Sequence, residues 1–386
     1  MEYVIRCKAA LMPKMGPYQN IVVEEVEVAE PGDEEVQLKV MTCTICHSDI
    51  HALTGDHGAY EGPGMAGHEI AGVVTKVGSK VTYVKPGDRV ICSEVRQGCG
   101  QCEPCLKGHP WFCQAHAMTT ELFRIPGCHT RLNGERCIQT CSGTSGFAEY
   151  CNAHESMLCK LDDDIPFEVG SALACGFMSG FGAVLNRCQV RAGESFAVCG
   201  CGGVGLSAIM GAKYSGACPI IGIDTMPEKL EAAKRFGATH VLNPKECNVV
   251  EEVMKITRGL GVEHSFVAVA GKGIKKQMWD ITGGWGQMVI VGHGHHDAEW
   301  CNDINYFDFL RGRKITGCVM GGVTLRRDIP KYMEMYRNGQ IDIDALLTNR
   351  FTLDQIKEAL EDSCSGALKD VVYIGCPIPE DLAHRP

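Results

Sequence analysis

The stretch FAVCGCGGVGLSAIMGAK, Phe196 to Lys213, constrains the fold more than any other part of the chain. A short apolar run, Phe196 to Val198, meets glycines at 200, 202, 203 and 205, and small and apolar residues follow at helical spacing. A second apolar run, Ile220 to Ile223, ends at Asp224, 19 residues after Gly205. Strand, glycine turn, helix and second strand ending in an acid read as one βαβ unit, the context that turns a run of glycines into a dinucleotide fingerprint. In that context Gly200 makes the tight turn, Gly202 lets the backbone approach a pyrophosphate, and Gly205 lets helix and strand pack closely. Gly203 and Val204 complete the loop, and the helix N-terminus faces the phosphates. Asp224 is placed to accept from the adenosine ribose hydroxyls, and its charge repels a 2′-phosphate, which favours NAD over NADP.

The rest of the chain divides around this unit. From about Ser179 to Gly317, strand-like and helix-like stretches alternate, with HSFVAVAG and GQMVIVGHG as later buried strands, the pattern of a doubly wound parallel sheet. Before it, IVVEEVEV, EVQLKV and AGVVTKVG are short Val- and Ile-rich runs separated by Pro31-Gly32 and Pro86-Gly87 turns, which predicts an all-β region. After it, IPKYMEMYRNGQI and LDQIKEALEDS are amphipathic helical stretches and KDVVYIG is a last strand. A chain of 386 residues, 45% apolar and 22% charged, fits a globular protein of two domains.

Cysteine usage points to metal rather than to disulfides. The segment CGQCEPCLKGHPWFC holds Cys99, Cys102, Cys105 and Cys113 at spacings that let four thiolates converge, with few apolar residues to bury them. A closed tetrahedral zinc site fits this spacing, and an iron–sulfur cluster is its rival. The odd total of 23 Cys, most of them single in apolar segments, predicts a reducing compartment. The N-terminus carries no signal-like apolar run, and the expected location is the cytoplasm. The net charge of −10, without a basic block, argues against nucleic acid and anionic membranes as partners.

A second group of ligand types is dispersed. TICHSDIH supplies Cys46, His47, Ser48, Asp49 and His51; GMAGHEIAGVV supplies His68 and Glu69; LACGFMSG supplies Cys175. Cys46, His68 and Cys175 would make the three-ligand set of a catalytic zinc with an open fourth position. In order and approximate spacing, these motifs together with the four-Cys loop and GCGGVG resemble the zinc-dependent medium-chain alcohol dehydrogenases over essentially the whole chain.

The resemblance implies an α/β protein with a GroES-like catalytic domain over 1–178, completed by 318–386, and a Rossmann coenzyme domain over 179–317, with an active cleft between them. It implies two zinc ions per chain: a structural one on Cys99, Cys102, Cys105 and Cys113, and a catalytic one on Cys46, His68 and Cys175. The zinc would act as a Lewis acid on an alcohol oxygen while NAD takes the hydride. The proton would leave through the Ser48 position, the nicotinamide ribose and His51. Asp49 would orient a zinc ligand, and Glu69 would be placed to approach zinc during ligand exchange. His47 matches a position that contacts the pyrophosphate, Lys369 matches a cofactor-binding position where the family often has Arg, and Lys229 matches a ribose contact. A homodimer is implied, with a homotetramer as the alternative.

Substrate identity is less constrained. By matching to the motifs, Val95, Cys141, Ser142, His293 and Val319 line the substrate pocket, and several are smaller or more polar than the bulky apolar residues of relatives that oxidise simple alcohols. A roomy, partly polar pocket is expected, with His293, His295 and His296 bordering the nicotinamide end. A glutathione-adduct formaldehyde dehydrogenase is a rival of the same fold. Against it, only His116 lies near the fourth Cys of the loop, with Arg124 further on, where that group carries a basic residue. A non-catalytic, zinc-stabilised NAD-binding sensor or partner-binding protein is the alternative of another class. The retention of Cys46, Ser48, His51, His68 and Cys175 together disfavours it.

Overall fold

A glycine turn between buried strands dictates a parallel sheet, and one is found. The computed structural model describes residues 5–56, 58–94, 96–115, 125–141, 143–292 and 304–382. Its chain separates into two units, Met1–Cys175 with Thr324–Pro386, and Gly176–Val323. From sequence and family resemblance these junctions are expected at 178/179 and 317/318.

In the Gly176–Val323 unit, six strands form one sheet in the order His240–Leu242, Ile220–Ile223, Phe196–Cys199, Val262–Val267, Thr282–Ile290 and Lys314–Gly317. Every neighbouring pair is parallel. Phe196–Cys199 and Ile220–Ile223 are buried at every position, as strands covered on both faces must be. The first strand of the unit lies inside the sheet. Strand order therefore reverses between Phe196–Cys199 and Val262–Val267, which is where doubly wound sheets bind ligands, beyond the carboxyl ends of the strands. The core of this unit is built from Ala197, Ile221, Val253, Val267, Met278, Trp279 and Met288.

The other unit is mainly β. One sheet orders Ile5–Leu11, Val22–Val28, Ile125–Arg131, Arg136–Gln139 and Gly64–Met65. The second runs Leu158–Lys160, Arg89–Cys92, Glu69–Val77, Glu35–Thr44, Val371–Tyr373 and Arg350–Thr352, with Tyr150–His154 also on Glu35–Thr44. Glu35–Thr44 organises this sheet: Val36, Leu38, Val40 and Cys43 enter one core with Ile70, Val90, Phe147, Leu158, Leu360 and Val372. Its end at Thr44 pairs with Glu69 on one side and Val371 on the other. The loop that follows Thr44 is thereby held between two strands. Among the described residues, no single helix is long and apolar enough to cross a membrane, and every cysteine is a free thiol.

Candidate metal centres and dinucleotide turn

Cys46 sits at the junction of strand and helix. It caps the helix His47–Thr54, and Asp49 in that helix's first turn accepts from the Cys46 backbone N–H at 3.1 Å. The other Asp49 oxygen accepts from Gly67 N at 2.8 Å and meets His68 Nδ1 at 2.8 Å. Gly67 adopts φ +98°, and a Cβ there would lie 2.6 Å from Phe147 N, so only glycine permits the turn that delivers His68. Asp49, His68 and Glu69 are fully buried, and Cys175 is nearly so.

Cys46, His68, Glu69 and Cys175 bring their ligand atoms within 4.8 Å of one another. With Asp49 accepting the Nδ1 proton, the Nε2 lone pair of His68 is left, and this buried atom has no hydrogen-bond partner. A buried histidine nitrogen without a partner beside two thiols is costly unless a cation accepts the lone pair. The Cys46 thiol is held well below its ordinary value by a hydrogen bond from Cys175, whose own thiol is pushed up. The donor set of two sulfurs and one imidazole nitrogen suits zinc.

Glu69 and Lys369 make a second finding. Lys369, expected to bind the cofactor, is 8% exposed. Its ammonium lies 2.6 and 2.5 Å from the Glu69 oxygens and donates to the Ile45 carbonyl at 3.0 Å. The Thr44 hydroxyl also donates to Glu69. A fully buried carboxylate beside the thiols requires such a counter-charge. Burial nonetheless pushes the Glu69 carboxyl up to about 7.

The four-Cys loop carries its own order. Cys99, Cys102, Cys105 and Cys113 bring their sulfurs within 4.8 Å of one another. Cys99 N donates to Cys113 Sγ at 3.3 Å and Cys102 N to Cys99 Sγ at 3.4 Å. The single helical turn Glu103–Leu106 buries none of its residues, so four sulfurs ringed by N–H donors replace an apolar core. That arrangement fits a closed zinc site.

In the other unit the chain turns from Phe196–Cys199 through Gly200, at φ +94°, into the helix Gly203–Tyr214. A Cβ on Gly205 would lie 1.7 Å from the Gly200 carbonyl oxygen, whereas one on Gly202 would meet nothing within 4 Å. Close packing and open approach are thus divided between the two glycines. Asp224 accepts from Cys201 N at 2.8 Å and Met226 N at 3.0 Å, one bond per carboxylate oxygen. Lys229 is half-buried on the helix Pro227–Phe236.

Comparison with known proteins agrees with this geometry. Residues 32–163 match the alcohol dehydrogenase GroES-like domain, and residues 203–338 match the zinc-binding dehydrogenase domain. A zinc-binding alcohol dehydrogenase domain protein from Burkholderia ambifaria is 31% identical over 96% of this chain and 99% of its own, with a TM-score of 0.86. The chain belongs to the zinc-dependent medium-chain alcohol dehydrogenase family. The benzyl alcohol dehydrogenase of Acinetobacter calcoaceticus is 30% identical, with the same coverage and TM-score. An alcohol dehydrogenase from a Thermus species shares the fold at 22% identity, covering 95% of this chain and 99% of its own, with a TM-score of 0.77. This member of the family is therefore an oxidoreductase with a GroES-like domain and a Rossmann-type parallel sheet.

The remaining expected residues are distributed as follows. Ser48 and His51 stand three apart on the helix His47–Thr54, both half-buried, and His47 is exposed. Cys141 is buried with its sulfur 3.4 Å from His68 Nδ1. Val319 is 43% exposed in the other unit. Val95, His116, Arg124, Ser142, His293, His295 and His296 lie outside the described residues. Two partners were missed by sequence reasoning in this dehydrogenase. Asp56 lies 2.9 Å from His51 Nδ1, and Glu69 holds Lys369. The first stands five residues from His51, just past the left-handed Gly55 that ends the helix His47–Thr54, close enough in sequence to be found.

Proposed function

We propose that this dehydrogenase interconverts alcohols with aldehydes or ketones using NAD, with zinc at both cysteine-containing centres. The observation that carries the reading is the convergence of Cys46, His68 and Cys175 around a buried imidazole nitrogen that lacks a partner. When bound, zinc supplies a Lewis acid for an alcohol oxygen and NAD supplies the hydride acceptor.

The chain's own groups do the rest. Asp49 keeps the proton on His68 Nδ1, so that Nε2 retains the lone pair that would hold a metal. Ser48 Oγ would take the proton of the alcohol as it passes its own on through the nicotinamide ribose to His51, which would release it towards solvent. Because Asp56 accepts at Nδ1, His51 is set as the tautomer whose Nε2 carries the basic lone pair. The Gly200 to Gly205 turn presents backbone N–H groups to a pyrophosphate, and each Asp224 oxygen keeps a lone pair for a ribose hydroxyl. A partly polar pocket, with Cys141 in it, favours alcohols larger than ethanol, and the resemblance to a benzyl alcohol dehydrogenase makes aromatic alcohols the first class to test.

The test combines metal analysis with a substrate panel. About two zinc ions per chain are expected, and NAD reduction should appear at the reduced-nicotinamide absorbance band with benzyl alcohol or another primary or secondary alcohol. One zinc per chain, unchanged in Cys46→Ala, would defeat the two-centre reading. A fully zinc-loaded protein inert to the whole panel, with or without glutathione and formaldehyde, would favour the non-catalytic alternative.

A further inference from the structure

The helix Ile356–Ser365 carries three acidic residues along one face. Glu358, Glu361, Asp362 and Ser365, at helical spacing, line a cavity of about 640 Å³ together with Asn349. Asp362 lies in the last turn, where the carbonyl ends of the helix already favour cations, and that turn carries no basic residue. Lys357 lies in the first turn beside Glu358, at the other end of the helix from Asp362. Arg350 also borders the cavity, but its guanidinium is committed to Glu168 at 2.9 and 3.0 Å. Lys369 is committed to Glu69.

A second observation separates this cluster from an ordinary acidic surface. Asp370, at the start of the neighbouring strand, is only 1% exposed, and its Oδ2 is buried without a hydrogen-bond partner. Its Oδ1 has only long contacts, 3.5 Å to Thr348 Oγ1 and 3.5 Å to Asn349 Nδ2. The same Asn349 amide donates to Asp362. One amide thus bridges two carboxylates. Burial, with Asp362 next in effect, pushes the Asp370 carboxyl up to about 7.

We propose that Asp362, Asp370 and Asn349 form a binding site for a hard divalent cation of the calcium type, separate from both cysteine centres. All the donors are oxygens once the Asn349 amide turns its carbonyl inward, and the open cavity leaves room for water to complete six to eight ligands. The cation would tie the end of the Ile356–Ser365 helix to the Val371–Tyr373 strand. The Asp370 carbonyl accepts from Ile45 N at 3.0 Å, so the tie would also brace the residue before Cys46.

The zinc-loaded protein should be titrated with calcium chloride, and separately with magnesium chloride, by calorimetry, and its thermal midpoint compared with that in sodium chloride of equal ionic strength. Saturable binding of one calcium per chain is expected, with a Kd of about 0.1–1 mM for a site with two carboxylates and a raised midpoint. Asp370→Asn and Asp362→Asn should each weaken binding about tenfold or more, and Asp370→Asn should raise the calcium-free midpoint by removing buried charge. Asn349→Ala, which leaves both acids in place, should weaken binding several-fold and serves if either charge variant fails to fold. No saturable binding by the wild type would overturn the proposal and leave a shared proton as the link between the acids. Binding that is unchanged in the variants that fold would overturn it too.

Discussion

His51 shows how one neighbour decides the chemistry a side chain can perform. Asp56 accepts a hydrogen bond from His51 Nδ1–H at 2.9 Å, so the ring's basic nitrogen is the other one. If His51 passes the substrate proton to solvent, His51→Gln should lower the rate of alcohol oxidation about 10²-fold, and added imidazole should restore part of it. Asp56→Asn should give a smaller loss. A rate unaffected by His51→Gln, with no response to imidazole, would send the proton by another path. His129 shows the opposite use of a histidine. Its Nε2–H donates to the Tyr150 carbonyl at 2.7 Å in a fully buried site, and burial lowers its value from 6.5 to about 4. The unfolded chain therefore takes up a proton below pH 6.5 that the folded chain refuses, so this stability is present above 6.5 and is lost as pH falls towards 4. Denaturant midpoints at pH 7 and 4.5 should show wild type losing about 2 kcal/mol more than His129→Asn. Equal losses would mean that His129 is protonated without cost.

At the scale of elements, local patterns were legible and partnerships across the chain were not. The glycine turn, the spacing of Cys99 to Cys113 and the alternation of Glu35–Thr44 are written within a dozen or so residues each, so periodicity and turn chemistry expose them. The pairing of Thr44 with Val371, the Glu69–Lys369 contact and the buried Glu168–Arg350–Tyr373 cluster join the two ends of the chain. Nothing in a local pattern says which distant charge will face a buried carboxylate. By resemblance Lys369 was given a cofactor contact; in the structure its ammonium pairs with the buried Glu69. The glycine turn also allows a separation of roles by mutation. Gly202→Ala meets open space at φ −82°, so it should leave thermal stability unchanged and weaken NAD binding. Gly205→Ala puts a methyl on the Gly200 carbonyl and should lower stability by about 1–3 kcal/mol or more. Thermal melts and nucleotide titration of both variants would check the contrast, and equal effects on stability would contradict it.

For the molecule as a whole, continuity of chain and continuity of core do not coincide. The Gly176–Val323 unit is one uninterrupted segment with its own parallel sheet and core. The other unit is assembled from both ends, and its main core mixes Val36, Ile70 and Phe147 with Leu353, Ile356, Leu360 and Val372. The strand Val371–Tyr373 occupies the side of Glu35–Thr44 that would otherwise be an open edge near Thr44. Glu168, nearly buried, would be left without Arg350 and Tyr373 if the C-terminal segment were absent, and a buried carboxylate stripped of its partner costs about 3–5 kcal/mol. A fragment of residues 1–175 should therefore fail to fold alone, and joining it to 324–386 through a short flexible linker should restore a cooperative transition and the uptake of zinc. The measurement is thermal unfolding by circular dichroism alongside metal analysis of the two fragments. A cooperative melt for 1–175 alone would show that the C-terminal strands and the Glu168 cluster are dispensable, and that the core assigned to both chain ends is in fact sustained by the first.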